Sequence, residues 1–371
     1  MPYRYLGATG LRVSALSFGN MITVMQGGTR EEKQSLMNES LRRALSYGVN
    51  FLDTSEMYGF GEAESVMGQA IKDVGVKREE IVVSTKLFWG PIGTSYDTDV
   101  NLEYIKGKGV NQIGLSRKHI IEGMNASLKR LQLDYVDIVF AHRSDPTTPI
   151  EETCRALSWL VEQGKAHYWA TSGWEADHIQ HAIELCDKLG LHKPVAEQVE
   201  YNMIWRTKME KDYTLLFDKY RLGTTVYSPL AQGVLSGRYN SGEIPADSRI
   251  NKQVPFWGNP IIRMYLAGAK KDTLVRICAG LEEICREIGC TQPLLALAWG
   301  LASGDVSTLV CGFSKAEQVD ENMGAIQVYG KWNRELEARI EALLQNGPEM
   351  VIDFKKFLPA KPRREQAVFG K

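Results

Sequence analysis

"VNFLDTSEMYGFGEAESVMGQAIKDV", residues 49–74, contains one complete unit of the strand–helix pattern that repeats along this chain. Residues 49–52 form a short, largely apolar run that is typical of a buried strand. A partly polar loop follows, and residues 62–74 then space their apolar side chains as one face of a helix does. Strand-like and helix-like segments alternate in this way along most of the chain.

The strand-like segments favour a closed parallel barrel. Several of them are apolar with little alternation, as expected for parallel strands that are covered on both faces. Eight strands with intervening helices indicate a (β/α)8 TIM barrel rather than an open doubly wound sheet. The open sheet is also disfavoured because no G-x-G-x-x-G motif follows the first strand. We predict the strands within residues 13–20, 49–54, 79–89, 135–142, 166–173, 195–202, 224–230 and 307–313.

Several of the helix-like segments carry recognisable start signals. Thr29 and Glu32 form a capping box at the start of the first helix, and Ser116 is the expected N-cap of the third. Cys278 and Cys285 are seven positions apart, so they share one helix face and are expected in the core. We predict helices within residues 29–48, 62–74, 116–132, 150–164, 272–288 and 291–303.

Four segments extend beyond a minimal barrel. Residues 1–13 are expected to form a hairpin ahead of the first strand. Residues 90–114 and 228–270 form long loops after the third and seventh strands, and residues 346–371 are a polar tail. We therefore expect a single barrel domain over residues 1–345, followed by a C-terminal extension.

Composition excludes several classes of function. The 371 residues carry a formal net charge of -1, which argues against a protein built on electrostatic attraction to nucleic acid. No apolar stretch approaches a membrane span, and the first residues lack the pattern of a signal peptide. The six cysteines form no C-x-x-C pair, which favours reduced thiols. We expect a cytoplasmic protein that is not membrane-embedded.

Four polar side chains are expected to meet at one end of the barrel. Chemistry in such barrels takes place at the C-terminal ends of the strands, where this chain has Asp53, Lys86 and His142. Tyr58 lies in the loop that follows Asp53. A lysine at this depth needs a counter-charge, which Asp53 can provide.

This combination is suited to general acid catalysis. A phenol has a pKa of about 10, which is too high for an efficient proton donor near neutral pH. We expect the Lys86 cation to lower the pKa of Tyr58, and neutral His142 to orient a substrate oxygen.

A second motif is suited to binding a phosphate. Ser314 and Glu317 have the spacing of a capping box, which predicts a helix start with unpaired backbone N–H groups. Lys315 adds a positive charge beside it.

Seven stretches together resemble the aldo-keto reductase family, and they are most similar to the branch that contains voltage-gated potassium channel β subunits. The resemblance runs from residue 5 to residue 343. The stretches are "LGATGLRVSALSFGN", "FLDTSEMYGFGEAESVMG", "STKLFWG", "GLSRKHIIEGMNASLKRLQLDYVDIVFAHR", "EQVEYN", "YSPLAQGVLSGRY" and "GFSKAEQVDEN".

The resemblance implies a reductase that transfers a hydride from NADPH to an aldehyde or ketone, leaving NADP+. It implies a catalytic tetrad at Asp53, Tyr58, Lys86 and His142. It also implies that the nicotinamide stacks on Tyr227. The expected cofactor contacts are Asn20, Met21, Ser172, Gln198, Tyr227, Ser228, Pro229, Leu230, Gly233, Arg238, Arg249, Gly312, Ser314, Lys315, Gln318, Glu321 and Asn322.

Three positions depart from the pattern of the channel subunits or of the family. The channel subunits carry Asn where this chain has His142, and Trp where it has Tyr227, so both changes resemble the ordinary reductases. At Gly173, in the stretch that binds the carboxamide, the chain lacks the longer polar side chain that is common in the family.

Other functions remain open at this point. The first is a nucleotide-binding regulatory subunit of a potassium channel. The residue that distinguishes this function from a reductase is His142. A Schiff-base lysine at Lys86 would leave Tyr58 unexplained. A metal hydrolase is disfavoured, because the histidines show no ligand spacing beyond His178 and His181, which flank a helix-like segment.

The carbonyl substrate and the oligomeric state are less defined. Apolar pocket walls are expected from Trp89 and Trp205, with Met21, Phe256 and Trp257 as further candidates. The channel subunit resemblance suggests a homo-oligomer, in particular a tetramer, or a channel partner.

Overall fold

Parallel strands form a closed barrel in the computed structural model, which describes residues 1–25, 27–91, 109–246, 248, 268 and 270–349. The strands, numbered in chain order, are β1 (Tyr3–Tyr5), β2 (Arg12–Ser14), β3 (Leu16–Gly19), β4 (Phe51–Asp53), β5 (Val82–Leu87), β6 (Val136–Ala141), β7 (Ala166–Ser172), β8 (Ala196–Glu200), β9 (Gly223–Tyr227) and β10 (Thr308–Gly312). The barrel closes in the order β10-β3-β4-β5-β6-β7-β8-β9, and all of these pairs are parallel. The predicted TIM barrel is therefore confirmed.

Helices surround the barrel and cover the outer face of the strands. They are α1 (Met21–Met25), α2 (Arg30–Ser46), α3 (Glu62–Val74), α4 (Arg117–Leu131), α5 (Ile150–Glu162), α6 (Ala176–Leu189), α7 (Thr214–Tyr220), α8 (Lys271–Ile288), α9 (Gln292–Ala302), α10 (Glu317–Met323), α11 (Ala325–Tyr329) and α12 (Arg334–Leu344). Short 3-10 helices span Tyr58–Gly61, Arg78–Glu80 and Ala231–Ser236, and a π-helix spans Lys208–Asp212.

The local signals for the helix starts are confirmed in α2 and α4. The Thr29 hydroxyl accepts from the Glu32 backbone N–H, and the Glu32 carboxylate accepts from the Thr29 N–H in return. Ser116 accepts from the backbone of His119 at the start of α4. The two histidines named above as flanking a helix lie inside α6 instead.

Two apolar cores follow from the alternation of side chains along the strands. The inner core lies inside the barrel and joins Leu6 and Val13 of the hairpin to side chains such as Phe51, Ile138 and Phe140. The larger outer core lies between strands and helices. Every residue of β5 and β6 is buried, which agrees with strands covered on both faces.

The N-terminal hairpin β1–β2 is confirmed, but it takes two residues from the segment predicted as the first barrel strand. Val13 and Ser14 pair with β1, and the barrel strand begins at Leu16. Ala15 lies between the two: its N–H donates to the hairpin, and its carbonyl accepts from Leu309 of β10. One extended stretch of sequence therefore serves two sheets.

The predicted extensions are described in part. Residues 109–114 and 228–246 belong to the long loops, and residues 346–349 begin the tail, where Asn346 donates to the carbonyl of Met203. The rest of the tail, from residue 350, lies outside the described residues. The described residues contain no helix with the length and hydrophobicity that a membrane span requires.

Candidate active site

The C-terminal ends of neighbouring strands bring the predicted catalytic side chains together. Asp53 is the last residue of β4, Lys86 is the penultimate residue of β5, and His142 directly follows β6. Parallel pairing aligns these ends, since Asp53 pairs with Ser84 and Lys86 pairs with Phe140. The three side chains are buried, whereas Tyr58 is half-buried.

Asp53 and Lys86 form a buried ion pair at the centre of this group. Lys86 Nζ lies 2.6 Å from Asp53 Oδ2 and donates to the Thr54 carbonyl at 2.8 Å. Asp53 Oδ1 accepts from Ser84 Oγ at 2.7 Å and from Gln198 Nε2 at 3.1 Å. Both oxygens of the carboxylate therefore have partners, which a buried charge requires.

The groups around Lys86 keep it charged. Burial alone would lower the pKa of Lys86, but Asp53 and Tyr58 outweigh it and hold the pKa above its ordinary value. Lys86 is therefore an ammonium cation throughout the neutral pH range.

Tyr58 lies beside this cation. Lys86 Nζ is 4.7 Å from the centroid of the phenol ring, and the His142 ring meets it edge-on at 5.9 Å between centroids. Burial raises the pKa of Tyr58, and Lys86 opposes this rise without cancelling it. The expectation that the pKa of Tyr58 falls is therefore wrong for the site as it stands, because the phenolate loses more by leaving water than it gains from the cation.

His142 is neutral, as expected from its surroundings. Burial lowers the pKa of His142 well below its usual range, and the positive charges of Arg143 and Lys86 lower it further. His142 Nδ1 lies 3.2 Å from Ser55 Oγ. This contact leaves Nε2 as the ring nitrogen for any further hydrogen bond.

Three of the predicted cofactor positions lie at the same end of the barrel. Ser172 ends β7, Tyr227 ends β9, and Gln198 lies in β8 between them. Gln198 Nε2 donates to Asp53 and to Thr225 Oγ1, at 3.1 Å each, so it connects these positions to the ion pair. Burial raises the pKa of the half-buried Tyr227 above its ordinary value.

The segment after β9 has a strained backbone. Ser228, Ala231 and Gln232 have positive φ of 52°, 48° and 57°, and Gly233 has 104°. Left-handed residues of this kind, especially those other than glycine, are concentrated at binding sites. Positive φ values can turn neighbouring N–H groups to one side, which is how a backbone turn binds an anion. Within this turn, the N–H groups of Ala231 and Gly233 donate to the carbonyls of Ser228 and Leu230.

The predicted capping box at Ser314 and Glu317 is wrong. The helix α10 begins at Glu317, and its N-cap is Ala316, without a side-chain cap. Instead, Gln318 Oε1 reaches back and accepts from Ser314 N–H, Ser314 Oγ–H and Lys315 N–H at 2.7, 3.0 and 3.3 Å. The amide oxygen satisfies the three donors together, so a phosphate oxygen could replace it there.

The other predicted contacts have varied surroundings. Asn20 is buried and donates to the Ala63 carbonyl, whereas its Oδ1 has no hydrogen-bond partner among the described residues. Trp89 packs against Phe88 at 4.8 Å between ring centroids, and the Trp205 backbone N–H donates to Asn202. Pro229 and Asn322 are buried; Met21, Leu230 and Gly312 are half-buried; Arg238, Lys315 and Glu321 are exposed; Arg249, Phe256 and Trp257 lie outside the described residues.

Sequence reasoning missed three charged residues at this end of the barrel. Arg143 donates to the His142 carbonyl and to Ser172, Glu200 ends β8, and Glu197 lies on the same strand. Burial raises the pKa of Glu200 to about 7 and that of Glu197 to about 8. The available signal was a charge at the end of, or within, a strand that is otherwise buried, which is the signal that identified Lys86.

Residues 15–344 match the model of the Aldo/keto reductase family. A probable voltage-gated potassium channel subunit beta of Oryza sativa subsp. japonica is 42% identical over 355 residues, covering 96% of this chain and all of that protein. A probable subunit beta of Arabidopsis thaliana is 41% identical, covering 94% of this chain and 98% of its own. A putative subunit beta of Schizosaccharomyces pombe is also 41% identical, covering 94% of each chain.

The raised pKa of Glu197 predicts a pH dependence of stability. The folded protein holds a proton that the unfolded chain releases, so the free energy of unfolding should fall as pH rises from 4.5 to about 8. Glu197→Gln removes this proton but keeps an oxygen for the Trp174 N–H. We expect its stability to fall less over this range, as measured by urea denaturation at several pH values. The exposed Glu335→Gln is the control, and equal slopes in wild type and Glu197→Gln would contradict the assignment.

Proposed function

Because this chain belongs to the aldo/keto reductase family, we propose that it reduces an aldehyde or ketone with NADPH and that Tyr58 is the general acid. The observation that carries the proposal is the buried Lys86 cation, which lies between the Asp53 carboxylate and the Tyr58 phenol. NADPH, when bound, supplies the hydride that attacks the carbonyl carbon. This chain supplies the proton that the carbonyl oxygen then needs.

The protonation step follows from the charges around Tyr58. Burial keeps the pKa of Tyr58 high, so the resting phenol holds its proton. As negative charge develops on the substrate oxygen, the proton moves from the phenol to that oxygen, and Lys86 stabilises the phenolate that remains. Solvent returns a proton to Tyr58 after the alcohol leaves.

His142 orients the substrate in this proposal. Its neutral imidazole contacts Ser55 through Nδ1, and Nε2 is directed to the carbonyl oxygen. A charged imidazolium would compete with Tyr58 as the acid, and the low pKa of His142 prevents this. Asn, as in the channel subunits, would provide a hydrogen bond of different geometry.

The cofactor would lie across the barrel mouth. We assign Ser172 and Gln198 to the carboxamide and Tyr227 to stacking on the nicotinamide. The strained segment from Ser228 to Gly233 supports the pyrophosphate assignment. The donors around Gln318 support a phosphate at the adenosine end. The adenosine set is Gly312, Ser314, Lys315, Gln318, Glu321 and Asn322, with Arg238 and Arg249 from the long loop.

A second candidate is a regulatory subunit of a potassium channel, and the names of the three relatives favour it. His142 favours the reductase instead, because it provides an oxygen-orienting group beside the acid. Co-purification with a membrane channel would support the second candidate.

The six cysteines are free thiols, which agrees with the reducing cytosol as the proposed location.

Tyr58→Phe tests the proton donor. The change removes the hydroxyl with little loss of volume, so the fold and NADPH binding should survive. Turnover should fall by about 10²–10⁴-fold, the usual contribution of a positioned acid. The rate is measured as NADPH oxidation with an aromatic aldehyde, and the dissociation constant by tryptophan fluorescence. Tyr168→Phe, at the inner core, is the matched control. Turnover near that of wild type in Tyr58→Phe would exclude this mechanism.

Lys315→Met tests the cofactor preference. If Lys315 and its neighbours bind the 2′-phosphate, the variant should bind NADPH about tenfold more weakly and NADH equally well, as expected for one screened, charge-assisted hydrogen bond. Added salt should reduce the preference of the wild type for NADPH over NADH, because salt screens the charge of the 2′-phosphate. Both dissociation constants are measured at two salt concentrations, with the exposed Lys331→Met as control. Equal affinity of the wild type for NADPH and NADH at low salt would show that the phosphate is placed wrongly.

A further inference from the structure

Arg143 connects the catalytic tetrad to the proposed carboxamide contact. Its Nη1 donates to the His142 carbonyl at 2.7 Å and to both the carbonyl and the hydroxyl of Ser172, at 3.4 and 3.3 Å. One guanidinium nitrogen therefore joins the ends of β6 and β7. Its side chain is half-buried, and its charge acts on groups around the barrel mouth, including Tyr58, Tyr227 and Glu200.

Gly173 makes room for this arrangement. It has a φ of +66°, which side chains other than glycine rarely adopt, and a Cβ built there would lie 2.8 Å from Arg143 Nη1. The turn around it is fixed, since Gly173 N–H donates to the Gln198 carbonyl and Trp174 N–H donates to Glu197. The guanidinium thus occupies the space that a side chain at position 173 would need.

Ser172 becomes a directed donor as a result. A hydroxyl has one proton to donate and two lone pairs that accept. When Ser172 Oγ accepts from the Arg143 cation, its own O–H is polarised and remains available for another acceptor. A carboxamide oxygen is such an acceptor.

We propose that Arg143 is a positioning residue of the nicotinamide site, which acts by fixing the Ser172 hydroxyl as a donor to the carboxamide oxygen. This inference rests on the proposed function. It assigns to an arginine of the preceding strand end the polar role that Gly173 cannot fill.

The test compares a ligand that reaches this site with one that does not. Arg143→Met should lower the affinity for NADP+ about tenfold, as expected for the loss of one charge-assisted contact. It should leave the affinity for 2′,5′-ADP unchanged, because that fragment lacks the nicotinamide. Both dissociation constants are measured by calorimetry. Arg155→Met, an exposed arginine of α5, controls for the loss of a positive charge.

A double-mutant cycle separates positioning from general damage. In the Ser172→Ala background, Arg143→Met should add less than a twofold further loss of NADP+ affinity, because the two residues act as one unit. Arg143→Lys keeps the charge without the planar group and should recover only part of the affinity.

Three results would overturn the inference: an unchanged affinity for NADP+ in Arg143→Met, an equal loss for both ligands, or additive effects with Ser172→Ala. Wild type that binds neither ligand would contradict the proposed function itself, and the inference with it.

Discussion

The buried ion pair between Asp53 and Lys86 is the constraint on which the rest of the site depends. Its two side chains come from adjacent strands, so it forms only when β4 and β5 pair in the observed register. Removing one partner of such a pair leaves an uncompensated buried charge, at a cost of about 3–5 kcal/mol. Ser84 and Gln198 donate further hydrogen bonds to the carboxylate, and the Thr54 carbonyl accepts one from the ammonium. The barrel therefore holds a cation at a depth where it would otherwise lose its proton.

The same constraint arranges the chemistry around it. Lys86 lies next to Tyr58 and helps to lower the pKa of His142, so a protonated phenol and a neutral imidazole face each other. Arg143 adds a second positive charge next to His142 and contacts Ser172. In the proposed reduction, the first cation stabilises the phenolate and the second orders the cofactor contact. The proton transfer and the cofactor contact are thus each assigned to a cation, Lys86 at the end of β5 and Arg143 after the end of β6.

Much of the fold could be predicted because its signals are local. Apolar strands such as β5 and β6 and the cap at Thr29 depend on residues that are close in the sequence. The pair between Asp53 and Lys86 could be predicted for another reason, because a buried lysine at a strand end needs a counter-charge. The break at Ala15 could not be predicted, because it depends on two different sheets competing for one extended segment. The cap at Ser314 was wrong because Gln318 Oε1, in the first turn, accepts from both the backbone N–H and the hydroxyl of Ser314. The rise in the pKa of Tyr58 could not be predicted either, because it depends on how deeply the folded protein buries the phenol.

The transfer of the hydride itself tests the central claim most directly. NADPH carrying deuterium at the transferable C4 position is mixed with excess protein and an aromatic aldehyde for a single turnover, and the product is examined by mass spectrometry. We expect an alcohol with one deuterium on the former carbonyl carbon, formed much faster with wild type than without protein. Bound NADPH that leaves the aldehyde unreduced, or an alcohol without deuterium, would contradict it.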